Sequence, residues 1–170
     1  LLKDLWAAAG GEAAEKNIPH PAGLAAAGGR VFVSFSKLDT ILVVNAGTGE
    51  VEKKLSVPRP MDMVSRDGKQ VFALSNAHEI VEVNVGDGQS RTVANLALAE
   101  PEWGCGLAMD KAGRFYVGVR EGAQQVRVYS PEGAPVRTIG AAGGRVPSGP
   151  WQADRLSNIS GLAIDGKGQL

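Results

Sequence analysis

Gly106-Leu-Ala-Met-Asp-Lys-Ala-Gly-Arg-Phe-Tyr-Val117 decides the fold, because variants of it recur and each leads into the same order of strand and turn signals. Gly23-Leu24-Ala25 leads to Gly29-Arg-Val-Phe-Val33, and Asp62-Met63-Val64 leads through Asp67-Gly68 to Val71-Phe72-Ala73. After the quoted stretch, Gly161-Leu162-Ala163 leads through Asp165 and Gly168 to Leu170. The anchors at 23, 62, 106 and 161 lie roughly 40 to 55 residues apart, near the length of a four-strand blade or of some helical repeats.

The texture inside each unit excludes helical repeats. Val31-Phe-Val-Ser-Phe35 alternates as a strand does, Ser36–Thr40 turns, and Ile41-Leu-Val-Val44 is a continuous apolar run suited to a strand covered on both faces. Asn45-Ala-Gly-Thr-Gly49 reads as a hairpin connection, and Glu50–Leu55 as a polar outer strand. The second unit repeats this order with Met61–Val64, Gln70–Leu74, Ile80–Val83 and Arg91–Ala94. The third repeats it with Gly106–Met109, Arg114–Val119, Gln125–Tyr129 and Pro135–Ile139. Short strands joined by tight turns predict antiparallel sheets. A four-stranded sheet with two apolar faces cannot cover both alone, so sheets must stack, and stacking around an axis gives a β-propeller. The competing all-β arrangement is a single sandwich. The units read as about 20–57, 58–98, 99–140 and 141–170, a segment of a larger ring.

Residues 1–19 lack the repeat. Leu1, Leu2, Leu5, Trp6 and Ala9 fit one side of a short helix closed by Gly10-Gly11, although the ragged end of a preceding blade is the alternative. Gly140–Asp154 is a Gly- and Pro-rich insertion, whose Trp151 is expected to plug the gap between adjacent blades.

The 170 residues are 44% hydrophobic, and eighteen basic residues balance eighteen acidic ones. No global field therefore draws the chain to nucleic acid, and no apolar run is long enough to span a membrane as a helix. Cys105 is the sole cysteine, which excludes an internal disulfide, and it is expected to pack as a small apolar group. The two histidines show no metal-ligand spacing, so a zinc site has little support.

Residues 106–170 resemble the NHL repeat, on the opening stretch together with Val126-Arg-Val-Tyr129, Ile139-Gly140, Gly143-Gly144, Gly149 and Ser160-Gly-Leu-Ala-Ile-Asp165. The first two units are closer to the related YVTN-type blades, on Val31-Phe-Val33 and Val44-Asn45 followed by Gly47-Thr-Gly49. The resemblance implies a propeller and little about activity. NHL repeats usually carry Asp after the second strand and Asn-x-Arg before the third. Here Val119-Arg120 and Gln124-Gln125 stand instead, so the polar contacts that lock such blades are absent or replaced.

In propellers of this kind the loops into the innermost strands share one face with the turns between second and third strands. That places His20, Arg59, Asp62, Glu102, Trp103 and Asn158 near the channel mouth, with Lys37, Asp39, His78, Glu79, Arg120 and Glu121 further out. Such a mixed ring suits a protein, small-molecule or carbohydrate ligand. Residue by residue, the structural role weighs more: His20 between prolines is an ordinary loop residue, and Trp103 is the foremost ligand-contact candidate. The resulting expectation is a non-enzymatic binding or interaction scaffold without a cofactor. The alternative is a calcium-dependent propeller hydrolase or lyase, suggested by Asp62, Glu102 and Asn158 as oxygen ligands but opposed by Arg59 beside Asp62.

Overall fold

The structure, a computed structural model, describes residues 2–12, 20–146 and 148–170. One helix, α1 (Leu2–Ala9), precedes twelve strands among these residues: β1 (Gly23–Ala27), β2 (Arg30–Phe35), β3 (Thr40–Asn45), β4 (Val51–Ser56), β5 (Pro60–Val64), β6 (Gln70–Ser75), β7 (Glu79–Asn84), β8 (Ser90–Asn95), β9 (Trp103–Met109), β10 (Phe115–Arg120), β11 (Gln125–Tyr129) and β12 (Pro135–Ile139). They form three four-stranded sheets, β1-β2-β3-β4, β5-β6-β7-β8 and β9-β10-β11-β12, each meandering in chain order.

Burial follows the sequence pattern. Thr40 through Val44 of β3 are all buried, as a strand covered on both faces must be. The outer strands β4 and β12 are mostly exposed, and Glu52, Lys53 and Lys54 blunt the edge of β4.

The turns repeat one device, a side-chain oxygen accepting backbone N–H groups two or more residues on. Asn45 Oδ1 accepts from Gly47 and Thr48 at 2.9 and 3.0 Å, and Asp165 Oδ1 from Lys167 at 2.8 Å. Asp67 Oδ1 accepts from Lys69 at 2.8 Å, and that N–H holds its carboxyl below the ordinary 3.8. At Asp110, desolvation pushes the carboxyl up, but Arg114 and the N–H groups of Arg114 and Ala112 together bring it below its ordinary value.

The described chain divides into two compact units, Leu1–Asn76 with Val81–Thr92, and Ala77–Ile80 with Val93–Leu170. In the first, Phe32, Ile41, Val43 and Leu55 of the first sheet share a core with Met63, Val71, Ala73, Val81 and Val83 of the second. The sheets also meet through polar groups. Buried Ser34 donates its hydroxyl to Met61 O at 2.7 Å, and Ser36 to Pro60 O at 2.5 Å. Gly23 makes close approach possible, since a Cβ there would lie 2.8 Å from Asp62 Cα. Helix α1 packs on the other face of the first sheet, where Trp6 is buried among Val33, Phe35, Leu42 and Val44, its ring edge-on to Phe35 at 5.7 Å. Residues 13–19 lie outside the described residues.

In the second unit, Ala108, Tyr116, Val126 and Val128 form a core against Ile139, Leu156, Ile159, Leu162 and Ile164. Trp151 does not fill that role. It is 72% exposed, contrary to expectation, and the apolar contacts that this part of the chain makes with the core come from Leu156, Ile159, Leu162 and Ile164. Residues 160–164, which the repeat reads as the next inner strand, pack through Leu162 and Ile164 and are not assigned to a sheet.

Candidate functional site

The six nominated residues fall three to a unit. In the first, His20 is exposed, and Asp62 on β5 is half-buried with its Oδ1 accepting the Met63 N–H at 2.9 Å. Arg59 is exposed and sits in the left-handed region at φ 39°, unusual for a non-glycine residue. Two bonds hold its backbone there: its N–H donates to Asp39 Oδ1 at 2.7 Å, and its carbonyl accepts from Asn76 at 3.3 Å.

Arg59→Gly separates architecture from recognition. Removing the left-handed strain offsets the greater freedom of glycine when unfolded, so stability is expected to change by no more than about 1 kcal/mol. Denaturant unfolding measures this. A loss well beyond that bound would give the guanidinium a structural role that its exposure does not suggest.

In the second unit the nominated residues belong to a denser cluster. Trp103 opens β9, and the register pairs it with Arg120 at the end of β10, with a bulge next to the pair between Gly118 and Val119. The Arg120 guanidinium lies over the indole, its Cζ 5.1 Å from the ring centroid. Arg120 Nη2 donates to Asn158 Oδ1 at 3.4 Å, whereas Arg120 Nε is buried without a hydrogen-bond partner among the described residues. Asn158 is exposed at φ 50°, and its N–H donates to Gln124 Oε1 at 3.0 Å. Arg59 and Asn158, corresponding residues of two repeats, thus share a left-handed backbone held by an acceptor from an earlier turn.

Glu102 is engaged. Its Oε2 accepts from Arg127 Nη2 at 2.8 Å and from the Ala99 N–H at 3.2 Å. Gln125 Nε2 donates to Gly140 O at 2.7 Å, so Gln124 and Gln125 both make polar contacts through their side chains. Cys105 differs from the expected apolar filler, since its thiol donates to Ile159 O at 3.0 Å and Gly118 O at 3.3 Å.

Sequence reasoning placed Arg120 further out than Trp103 and missed their pairing. The overlooked signal was the strand start: β9 begins three residues before the Gly106 anchor, which carries Trp103 into the sheet.

At the opposite strand ends of the first unit, Arg30, Asp67, Lys69, Gln70, Asn84, Val85 and Gly86 line an open cavity of about 470 Å³. Of its cations, Arg30 bonds Glu52 at 2.7 Å and Gly68 O at 3.1 Å, and from outside the lining Lys53 donates to the Val85 and Gly86 carbonyls. That end therefore reads as a clamp between turns. Among the described residues no group of three or more His, Cys, Asp or Glu could hold a metal ion, and no helix is long and apolar enough to cross a membrane.

No protein-family model matches the chain, and no curated protein does. Solved structures do. Hydrazine synthase of Kuenenia stuttgartiensis superposes with TM-score 0.66 at 17% identity over 94% of this chain and 43% of its own. The β-propeller domain of Myceliophteria thermophila Cps50 (Swd1) gives 0.60 at 8% over 91% of this chain and 48% of its own. This chain is a β-propeller segment. The computationally designed Ika4 protein matches the propeller at 0.58 and 16% identity, over 89% of this chain and 83% of its own. At these identities the likeness is one of fold, and the propeller segment spans less than half of the hydrazine synthase and Swd1 chains.

Proposed function

We propose that this propeller is a non-enzymatic, NHL/YVTN-like scaffold that binds a protein or small-molecule ligand, carbohydrate included, through the face where loops lead into the innermost strands. One observation carries the reading: the half-buried Trp103 with Arg120 stacked on it, at a strand end where Arg120 has a buried unpaired donor. Aromatic surface beside a cation is costly to leave partly exposed for packing alone, and it is the composition of binding hot spots. The NHL and YVTN motifs quoted above support the family reading.

Trp103→Ala tests it. A tryptophan serving a ligand loses mainly its cation–π contact, about 0.5–1 kcal/mol, so the melting curve should barely move. A loss of about 3–5 kcal/mol, as for a core aromatic, would return Trp103 to the architecture and remove the reading's main support.

Melting with calcium and with chelator tests the hydrolase or lyase alternative. Indifference is expected, because Glu102 is taken by Arg127 and Arg59 stands close in sequence to Asp62. Stabilisation by several degrees would favour the metal enzyme.

A further inference from the structure

We propose that Arg120 is a carboxylate receptor, in which the Nε–H and Nη2–H edge of the guanidinium grips two carboxylate oxygens while Trp103 supports its plane. The inference rests on the scaffold reading and gives its ligand a chemical class, an acidic group carried by a peptide or by a free small molecule.

Nε and Nη2 lie on one side of an arginine and present two parallel donors at the spacing of a carboxylate. In Arg120 that edge is the poorly satisfied one. Nε is buried with no partner among the described residues, a costly condition for a donor, and Nη2 has only the long 3.4 Å bond to Asn158. Since Nε is buried, a guest reaches this edge only once the Asn158 amide turns away. Its backbone is pinned by Gln124, but its amide is exposed and makes no shorter bond, so it can rotate away without moving the loop. The contact with Trp103, 5.1 Å from Cζ to the ring centroid, restrains the guanidinium beforehand, which lowers the ordering cost of binding.

The charges around this edge are mixed. Glu102 is cancelled by Arg127 at 2.8 Å, which leaves exposed Glu121, next to Arg120 in sequence and without an ion pair among the described residues, as the charge a guest must outcompete. Two parallel donors on one edge suit the two oxygens of a planar carboxylate, and because they can also take two phosphate oxygens, phosphate is titrated beside it.

The experiment follows the Arg120 Nε–H and Trp103 indole N–H resonances by NMR in the full chain, assigned through Arg120→Lys and Trp103→Phe. Capped glutamate, capped glutamine and inorganic phosphate are titrated separately. Capped glutamate should move both resonances saturably and capped glutamine neither, and Arg120→Lys should weaken binding at least roughly tenfold. Asn158→Ala, which removes the competing acceptor, should tighten it. A triglutamate peptide against succinate then separates the two sources by which binds more tightly. Equal movement of Trp103 by glutamate and glutamine compounds would overturn the carboxylate assignment and leave the scaffold reading standing. Tighter binding of phosphate would also overturn it, and silence of both resonances toward every compound would count against both readings.

Discussion

Val128→Asp is expected to abolish cooperative folding of the second unit. Val128 is 1% exposed and lies among Ala108, Tyr116, Val126, Leu156, Ile159, Leu162 and Ile164. None of these can ion-pair with a carboxylate, so the new group must either stay charged without compensation or take up a proton, and both are costly. A loss above about 4 kcal/mol consumes much of the roughly 5–15 kcal/mol that stabilises a typical domain. Val136 on β12 supplies the control, since it is 51% exposed and Val136→Asp should change stability by only about 0.5 kcal/mol. Urea unfolding by circular dichroism separates the two. Similar behaviour of both variants would mean that Val128 does not face a core.

Gly23→Val should wedge apart the inner strands of the first two sheets. The added Cβ would meet the Met61 carbonyl and lie 2.8 Å from Asp62 Cα, and neither is the end of a flexible side chain. Relief requires β1 to retreat from β5, which also stretches the 2.7 Å bond from Ser34 to Met61 O. Overpacking of this kind costs about 1–3 kcal/mol. A Gly23→Val chain as stable as the parent would show that these strands are not in close contact.

Much of the architecture was readable from local chemistry. Gln125–Tyr129 and Pro135–Ile139 have the bounds their alternation and turn residues suggested, and Ile41–Val44 is covered on both faces as its unbroken apolar run required. Asp67, Asp110 and Asp165 serve the turns, as their recurrence in the repeat implied. The sites were less readable, because they depend on register and on partners distant in sequence. Trp103 meets Arg120 only because β9 starts early and a bulge adjoins the pair. The apolar side of α1 is visible in Leu2, Leu5, Trp6 and Ala9, but nothing nearby says that Trp6 will meet Phe35. Trp151 misled for the converse reason: a large aromatic in an insertion suggests a plug, yet Leu156 and Ile159 reach the core first.

The relation of one sheet to the next underlies the propeller reading, and the nuclear Overhauser effect between Gly23 Hα and Asp62 Hα reports it most directly. Face-to-face stacking of the first two sheets predicts a strong cross-peak, with Gly23 packed against the Met61–Asp62 backbone. Intact β1–β2 and β5–β6 pairing without that cross-peak would contradict it, leaving two sheets that form separately and do not stack.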